Sequence, residues 1–119
     1  MPRVLIVDDS PMIRKLVAKA LTPEGFEVAG EAANGAEAVR LFRELGPDLV
    51  TMDVTMPVKD GLEASREIRE FAPGARILLL SAMGDGDLIE QARSIGVVDH
   101  VQKPFKGPEL AQAARALLG

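Results

Sequence analysis

Asp8 and Asp9, Asp53, Ser81 and Lys103 each stand at the end of a short β-rich run. Three carboxylates drawn within a few ångströms repel one another, so such a cluster is stable only if it shares protons or holds a cation. A donor set without His or Cys suits a hard ion. Two carboxylates, a backbone carbonyl and several waters match the octahedral oxygen shell of Mg²⁺, whereas zinc and copper favour nitrogen or sulfur. Lys103 and Ser81 would add an ammonium and a hydroxyl beside a carboxylate able to act as nucleophile. That is the equipment of phosphoryl transfer, where charge spreads over the equatorial oxygens and catalysis is mainly positioning and charge neutralisation. A carboxylate nucleophile would carry the group as an acyl phosphate.

These residues meet only if the chain folds so that its apolar runs end on one edge. Five β-rich runs alternate with amphipathic ones: Val4 to Val7, Glu27 to Glu31, Asp48 to Asp53, Arg76 to Ser81 and Val98 to Gln102. Val4 to Val7, Leu49 to Met52 and Ile77 to Leu80 are nearly continuous in apolar residues, as in parallel strands covered on both faces by helices. Between the strands, Met12, Ile13, Leu16, Val17, Ala20 and Leu21 repeat at helical spacing, as do Ala38, Val39, Leu41, Phe42 and Leu45. Further helices are predicted at Leu62 to Phe71, Leu88 to Ile95 and Pro108 to Leu118. Ser10 can cap the first helix, with Pro11 at its first position. Gly25, Gly46, Gly74 and Gly96 fall where left-handed C-caps are expected. If the strand order is 2-1-3-4-5, the first and third strands are neighbours at the switch point, where such sheets bind ligands, and the three carboxylates converge.

The 119 residues predict one α/β domain spanning 1–119, with 47% apolar residues, a net charge of −4 and no cysteine. Disulfide and thiolate-metal chemistry are excluded. Folding would leave about 6,200 Å² exposed. The longest purely apolar runs, four residues, are too short for a bilayer span or a signal sequence, so a cytoplasmic protein is expected. A pI near 5 without a basic patch speaks against direct nucleic-acid binding. No P-loop or GxGxxG run supports a nucleotide site. Gly84-Asp85-Gly86-Asp87 lacks the later ligands of a calcium loop and is read as a mobile loop opening the fourth helix.

Four motifs in order, Val7-Asp8-Asp9-Ser10, Met52-Asp53-Val54-Thr55-Met56-Pro57 with Asp60-Gly61, Ser81-Ala82 and Lys103-Pro104-Phe105, closely resemble those of response-regulator receiver domains. The likeness is strongest to the single-domain, CheY-like chemotaxis type. It covers essentially the whole chain and implies a flavodoxin-like (βα)5 doubly wound fold with a parallel sheet of order 2-1-3-4-5. By position it implies Asp53 as phosphoacceptor and Mg²⁺ held by Asp9, Asp53, the Thr55 carbonyl and Asp8, the last mostly through water. Ser81 would hydrogen-bond the phosphoryl group, Lys103 would pair with it, and Lys103-Pro104 would be cis.

The resemblance further implies a switch in which Ser81 moves inward and an aromatic on the fifth strand reorients. Here that residue is His100, read either as a groove filler or as a group whose protonation near neutrality opposes burial. Thr55 and Met83 would line the approach of water, and long, apolar Met83 is expected to slow dephosphorylation unless it only packs under the fourth loop. The expected partners are a histidine kinase, a phosphatase and a target protein on the face of helix 4, strand 5 and helix 5. A monomer or weak phosphorylation-dependent dimer is expected. The protein would be a phosphoacceptor switch, assisting its own phosphorylation and hydrolysis, rather than an enzyme. The alternatives are a phosphorelay intermediate, a pseudo-receiver that is never phosphorylated, or a Mg²⁺-dependent aspartyl phosphatase. The phosphatase reading wants a second acid two residues after the nucleophile, where this chain has Thr55.

Overall fold

The computed structural model describes residues 1–119. Strands β1 (Arg3–Val7), β2 (Glu27–Ala32), β3 (Leu49–Asp53), β4 (Ile77–Ser81) and β5 (His100–Gln102) alternate with helices α1 (Pro11–Leu21), α2 (Gly35–Leu45), α3 (Gly61–Phe71), α4 (Gly86–Ser94) and α5 (Gly107–Leu118). The strands form one parallel sheet of order β2-β1-β3-β4-β5.

Alternation along each central strand divides the interior into two cores. Leu5, Val7, Val50, Met52, Ile77 and Leu79 pack against residues from α2, α3 and α4. Val4, Ile6, Leu49, Leu78 and Leu80 pack against α1 and α5. Burial on both faces is why these strands read as unbroken apolar runs. The folded surface is 6056 Å², close to the expectation from size.

Helix α1 begins as its sequence predicts: Ser10 Oγ accepts from the Ile13 N–H at 3.3 Å, and Pro11 takes the first turn. Gly46 and Gly96 adopt the left-handed conformation, as does Gly25, although Gly25 ends a short 3₁₀ turn over Thr22–Glu24 and not α1 itself. Gly74 does not. Helix α3 ends at Ala72, at φ −135°, because Pro73 disfavours helical geometry in the residue before it. The fifth strand is shorter than predicted: Val98 and Asp99 lie outside it, and Val98 is exposed.

Candidate functional site

Parallel strands deliver their carboxyl ends to one edge, and the chemistry collects there. Asp53 and Ser81 are the last residues of β3 and β4, Asp8 follows β1, and Lys103 follows β5, where its N–H donates to Ser81 O at 2.7 Å. Asp8, Asp9 and Asp53 each place a carboxylate oxygen within 4.8 Å of the others. Asp8 is 1% exposed and Asp53 6%, whereas Asp9 faces solvent. Ser81, at the end of β4, is buried as well.

Lys103 bridges the buried acids, its Nζ donating to Asp8 Oδ2 at 2.8 Å and to Asp53 Oδ1 at 3.1 Å. Burial works against the charge of Lys103, but the bonds to Asp8 and Asp53 outweigh it and hold the ammonium above its ordinary value. Asp53 goes the other way. Burial, seconded by the charges of Asp8 and Asp9, pushes its carboxyl from 3.8 up to about 6, even with Lys103 pulling it down. At pH 7.5 it is still mostly ionised, the form in which a carboxylate can act as a nucleophile.

The loops hold this arrangement in place. The Asp8 N–H donates to Ala32 O at 3.0 Å, and Asp8 Oδ1 accepts from Ser10 N at 2.9 Å. After β3 the chain folds back so tightly that a Cβ on Gly61 would collide with the Asp53 carbonyl, while Gly61 N donates to Val54 O at 2.8 Å. Asp60 caps α3 through the Glu63 N–H. Between them Val58 sits at φ 70°, an uncommon conformation for a β-branched residue, inside a γ-turn closed by Lys59 N and Pro57 O. Lys103-Pro104 is cis.

The donor set fits a hard divalent cation. Three carboxylates within 4.8 Å offer oxygen only, and exposed Asp9 leaves one side open to water. Nothing here favours zinc or copper.

The contacts of two further residues were not foreseen from the sequence. Asp85 accepts from Ala82 N at 2.7 Å and from Thr55 Oγ1 at 3.4 Å, tying the β4–α4 loop to itself and to the β3–α3 loop. The glycine- and aspartate-rich stretch that signalled a mobile loop is thus cross-tied by one of its own aspartates. Arg14 donates to the Asp8 carbonyl at 2.6 Å. His100 is exposed and lines a cavity of about 280 Å³ with Ser81, Met83, Asp85 and Ile89. Met83 is 89% exposed, which removes the reading that it packs under the loop. A larger cavity of about 430 Å³ lies between α1 and α5, lined by Lys19, Glu24, Gln112 and Arg115 among others. It is remote from the acidic cluster, and we place the functional site at the cluster because the converging carboxylates and ammonium are there.

Comparison with known proteins agrees with this geometry. The chain is 45% identical to the chemotaxis protein CheY of Thermotoga maritima, over 93% of this chain and 92% of that one. It is 43% identical to CheY of Bacillus subtilis, over 98% and 97%. Among solved structures, the CheX–CheY–BeF3–Mg²⁺ complex of Borrelia burgdorferi superposes with a TM-score of 0.92 at 34% identity, covering 98% of this chain and 89% of that one. Residues 4–115 match the response regulator receiver domain family, and the protein belongs to it.

Proposed function

We propose that residues 1–119 form a single receiver domain acting as a stand-alone response regulator. Asp53 accepts a phosphoryl group from the phosphohistidine of a histidine kinase in a Mg²⁺-dependent reaction, and the phosphorylated protein signals in chemotaxis by binding another protein. The observation that carries this reading is the convergence of Asp8, Asp9 and Asp53 within 4.8 Å, with Lys103 Nζ 3.1 Å from the Asp53 carboxylate. Support for the stand-alone, chemotactic part comes from relatives named CheY that this chain matches over more than nine-tenths of both lengths.

In the transfer, a carboxylate oxygen of Asp53 bonds to phosphorus as the P–N bond to the donor imidazole breaks and its nitrogen keeps the bonding pair. Asp8, Asp9, Asp53 and the Thr55 carbonyl would hold Mg²⁺, Asp8 mostly through water, and the ion would supply positive charge against the phosphoryl oxygens. Lys103 pairs with the same group, Ser81 donates a hydrogen bond to it, and Ser81 and His100 form the switch. The domain assists its own phosphorylation and hydrolysis without being a multiple-turnover enzyme. Output runs through α4, β5 and α5, from a cytoplasmic monomer or weak phosphorylation-dependent dimer, with a phosphatase ending the signal. The Borrelia complex, which holds CheX and Mg²⁺, supports the metal and a second protein partner. No helix here is long and apolar enough to cross a membrane.

The test is intact-mass analysis after incubation with a small acyl-phosphate donor, with and without Mg²⁺. One adduct is expected, in wild type only and with Mg²⁺ only, and Asp53→Asn should stay unmodified. An unmodified wild type would favour a pseudo-receiver.

A further inference from the structure

Asp8 uses every polar atom it has. Its N–H is held by Ala32 O, Oδ1 by Ser10 and Oδ2 by Lys103. Its remaining atom, the carbonyl oxygen, accepts from Arg14 Nη1 at 2.6 Å. Arg14, 18% exposed, simultaneously donates from Nε to Glu31 Oε1 at 2.9 Å. Glu31 precedes Ala32, so the end of β2 holds Asp8 from both sides, directly at its nitrogen and through Arg14 at its oxygen.

That oxygen belongs to the planar peptide unit joining Asp8 to Asp9. Fixing it fixes the nitrogen and Cα of Asp9, from which the side chain departs. Asp9 is exposed, so the aim of its carboxylate rests on the backbone that bears it. We infer that Arg14, oriented by Glu31, is a positioning residue for the cation pocket, setting the Asp8–Asp9 peptide so that the two neighbouring carboxylates can share one ion. The inference rests on the Mg²⁺ reading of the site. It needs a guanidinium, whose rigid fork reaches a carboxylate and a carbonyl in two directions, where a lysine offers a single point charge. An ordinary surface ion pair would leave metal affinity alone.

The test is calorimetric titration of MgCl₂ into metal-free wild type, Arg14→Lys, Arg14→Met, Glu31→Gln and the Arg14→Met/Glu31→Gln double variant. Both Arg14 variants are expected to raise the Mg²⁺ Kd about tenfold or more, the range found when groups orienting metal ligands are removed. Glu31→Gln should raise it less, and the double variant should bind no more weakly than Arg14→Met alone. In metal-free protein the backbone amide resonance of Asp9, which shares the peptide unit, should move in both Arg14 variants. If Arg14→Met does not fold, Arg14→Lys and Glu31→Gln carry the test. A Kd within about twofold of wild type in the Arg14 variants overturns the inference and leaves the metal reading standing, whereas fully additive effects overturn the role of Glu31. Wild type that binds no Mg²⁺ overturns the metal reading itself and this inference with it.

Discussion

Lys103 Nζ lies 2.8 Å from Asp8 Oδ2. Because its shorter bond goes to Asp8 and not to Asp53, the lysine keeps a buried partner when the charge of Asp53 is removed.

Asp53→Asn should therefore stabilise the metal-free protein near neutral pH. The folded-state pKa of Asp53, about 6, exceeds its ordinary 3.8, so the native state binds the extra proton between those values. Stability falls as pH rises through that window, and the penalty is fully present above about 6 and absent below 3.8. Discounted for solvent screening, Asp53→Asn should gain about 1–2 kcal/mol at pH 7.5 and nothing at pH 3.5. Urea denaturation in a chelator across that range checks it, and destabilisation at pH 7.5 would show that Asp53 is held as the structural partner of Lys103.

Removing the lysine has the opposite sign. Lys103→Met strands the carboxylate of Asp8 in the interior, and loss of about 2–4 kcal/mol at neutral pH is expected. The denaturant midpoint reads it directly. A change below about 0.5 kcal/mol would mean that water reaches Asp8 once the lysine has gone.

Mg²⁺ should stabilise the folded state as it fills the acidic cluster. At ten times Kd the gain is about 1.4 kcal/mol, or about 5 °C in Tm for a domain of this size. Melting curves over a MgCl₂ series check this against NaCl at equal ionic strength, and Asp9→Asn should blunt the response.

Thr51 Oγ1 is buried without a hydrogen-bond partner, in the centre of β3. Thr51→Val keeps the shape and the β-branching and removes the stranded hydroxyl, so it should stabilise by about 1 kcal/mol. A denaturant midpoint at or below that of wild type would reveal an internal water serving the hydroxyl.

Two glycines should respond in opposite ways to alanine. At Gly61 the added methyl meets the backbone carbonyl of Asp53, which cannot step aside, and a loss of about 3 kcal/mol or more is expected together with weakened phosphoryl acceptance. At Gly74 the same methyl meets open space and φ is not left-handed, so the change should stay within about 0.5 kcal/mol. Chemical denaturation of both variants separates the two effects.

What the sequence revealed was what depends on near neighbours or on strand period. Ser10-Pro11 starts a helix by local hydrogen bonding, and the unbroken apolar runs required covering on both faces, so the layering and the edge bearing Asp8, Asp53, Ser81 and Lys103 were legible. Gly74 misled because the adjoining Pro73 ended the helix first. The role of Asp85 stayed hidden because its two partners, Ala82 and Thr55, lie across two loops, and a carboxylate among glycines looks solvent-bound until those loops are folded. Arg14 belongs to none of the motifs read from the sequence. Its contact with Asp8 O depends on where the end of β2 lies, which no helical period encodes. In the edge strand β5, His100 and Gln102 flank buried Val101, so strand alternation turns both of them away from the core and leaves them exposed.

The two bonds of Lys103 span 95 and 50 residues of chain. During synthesis the carboxylates emerge long before the ammonium that neutralises them, and a nascent chain lacking β5 holds them without it. The neutralised acidic cluster is therefore complete only once the chain has been made through Lys103, just after the final strand.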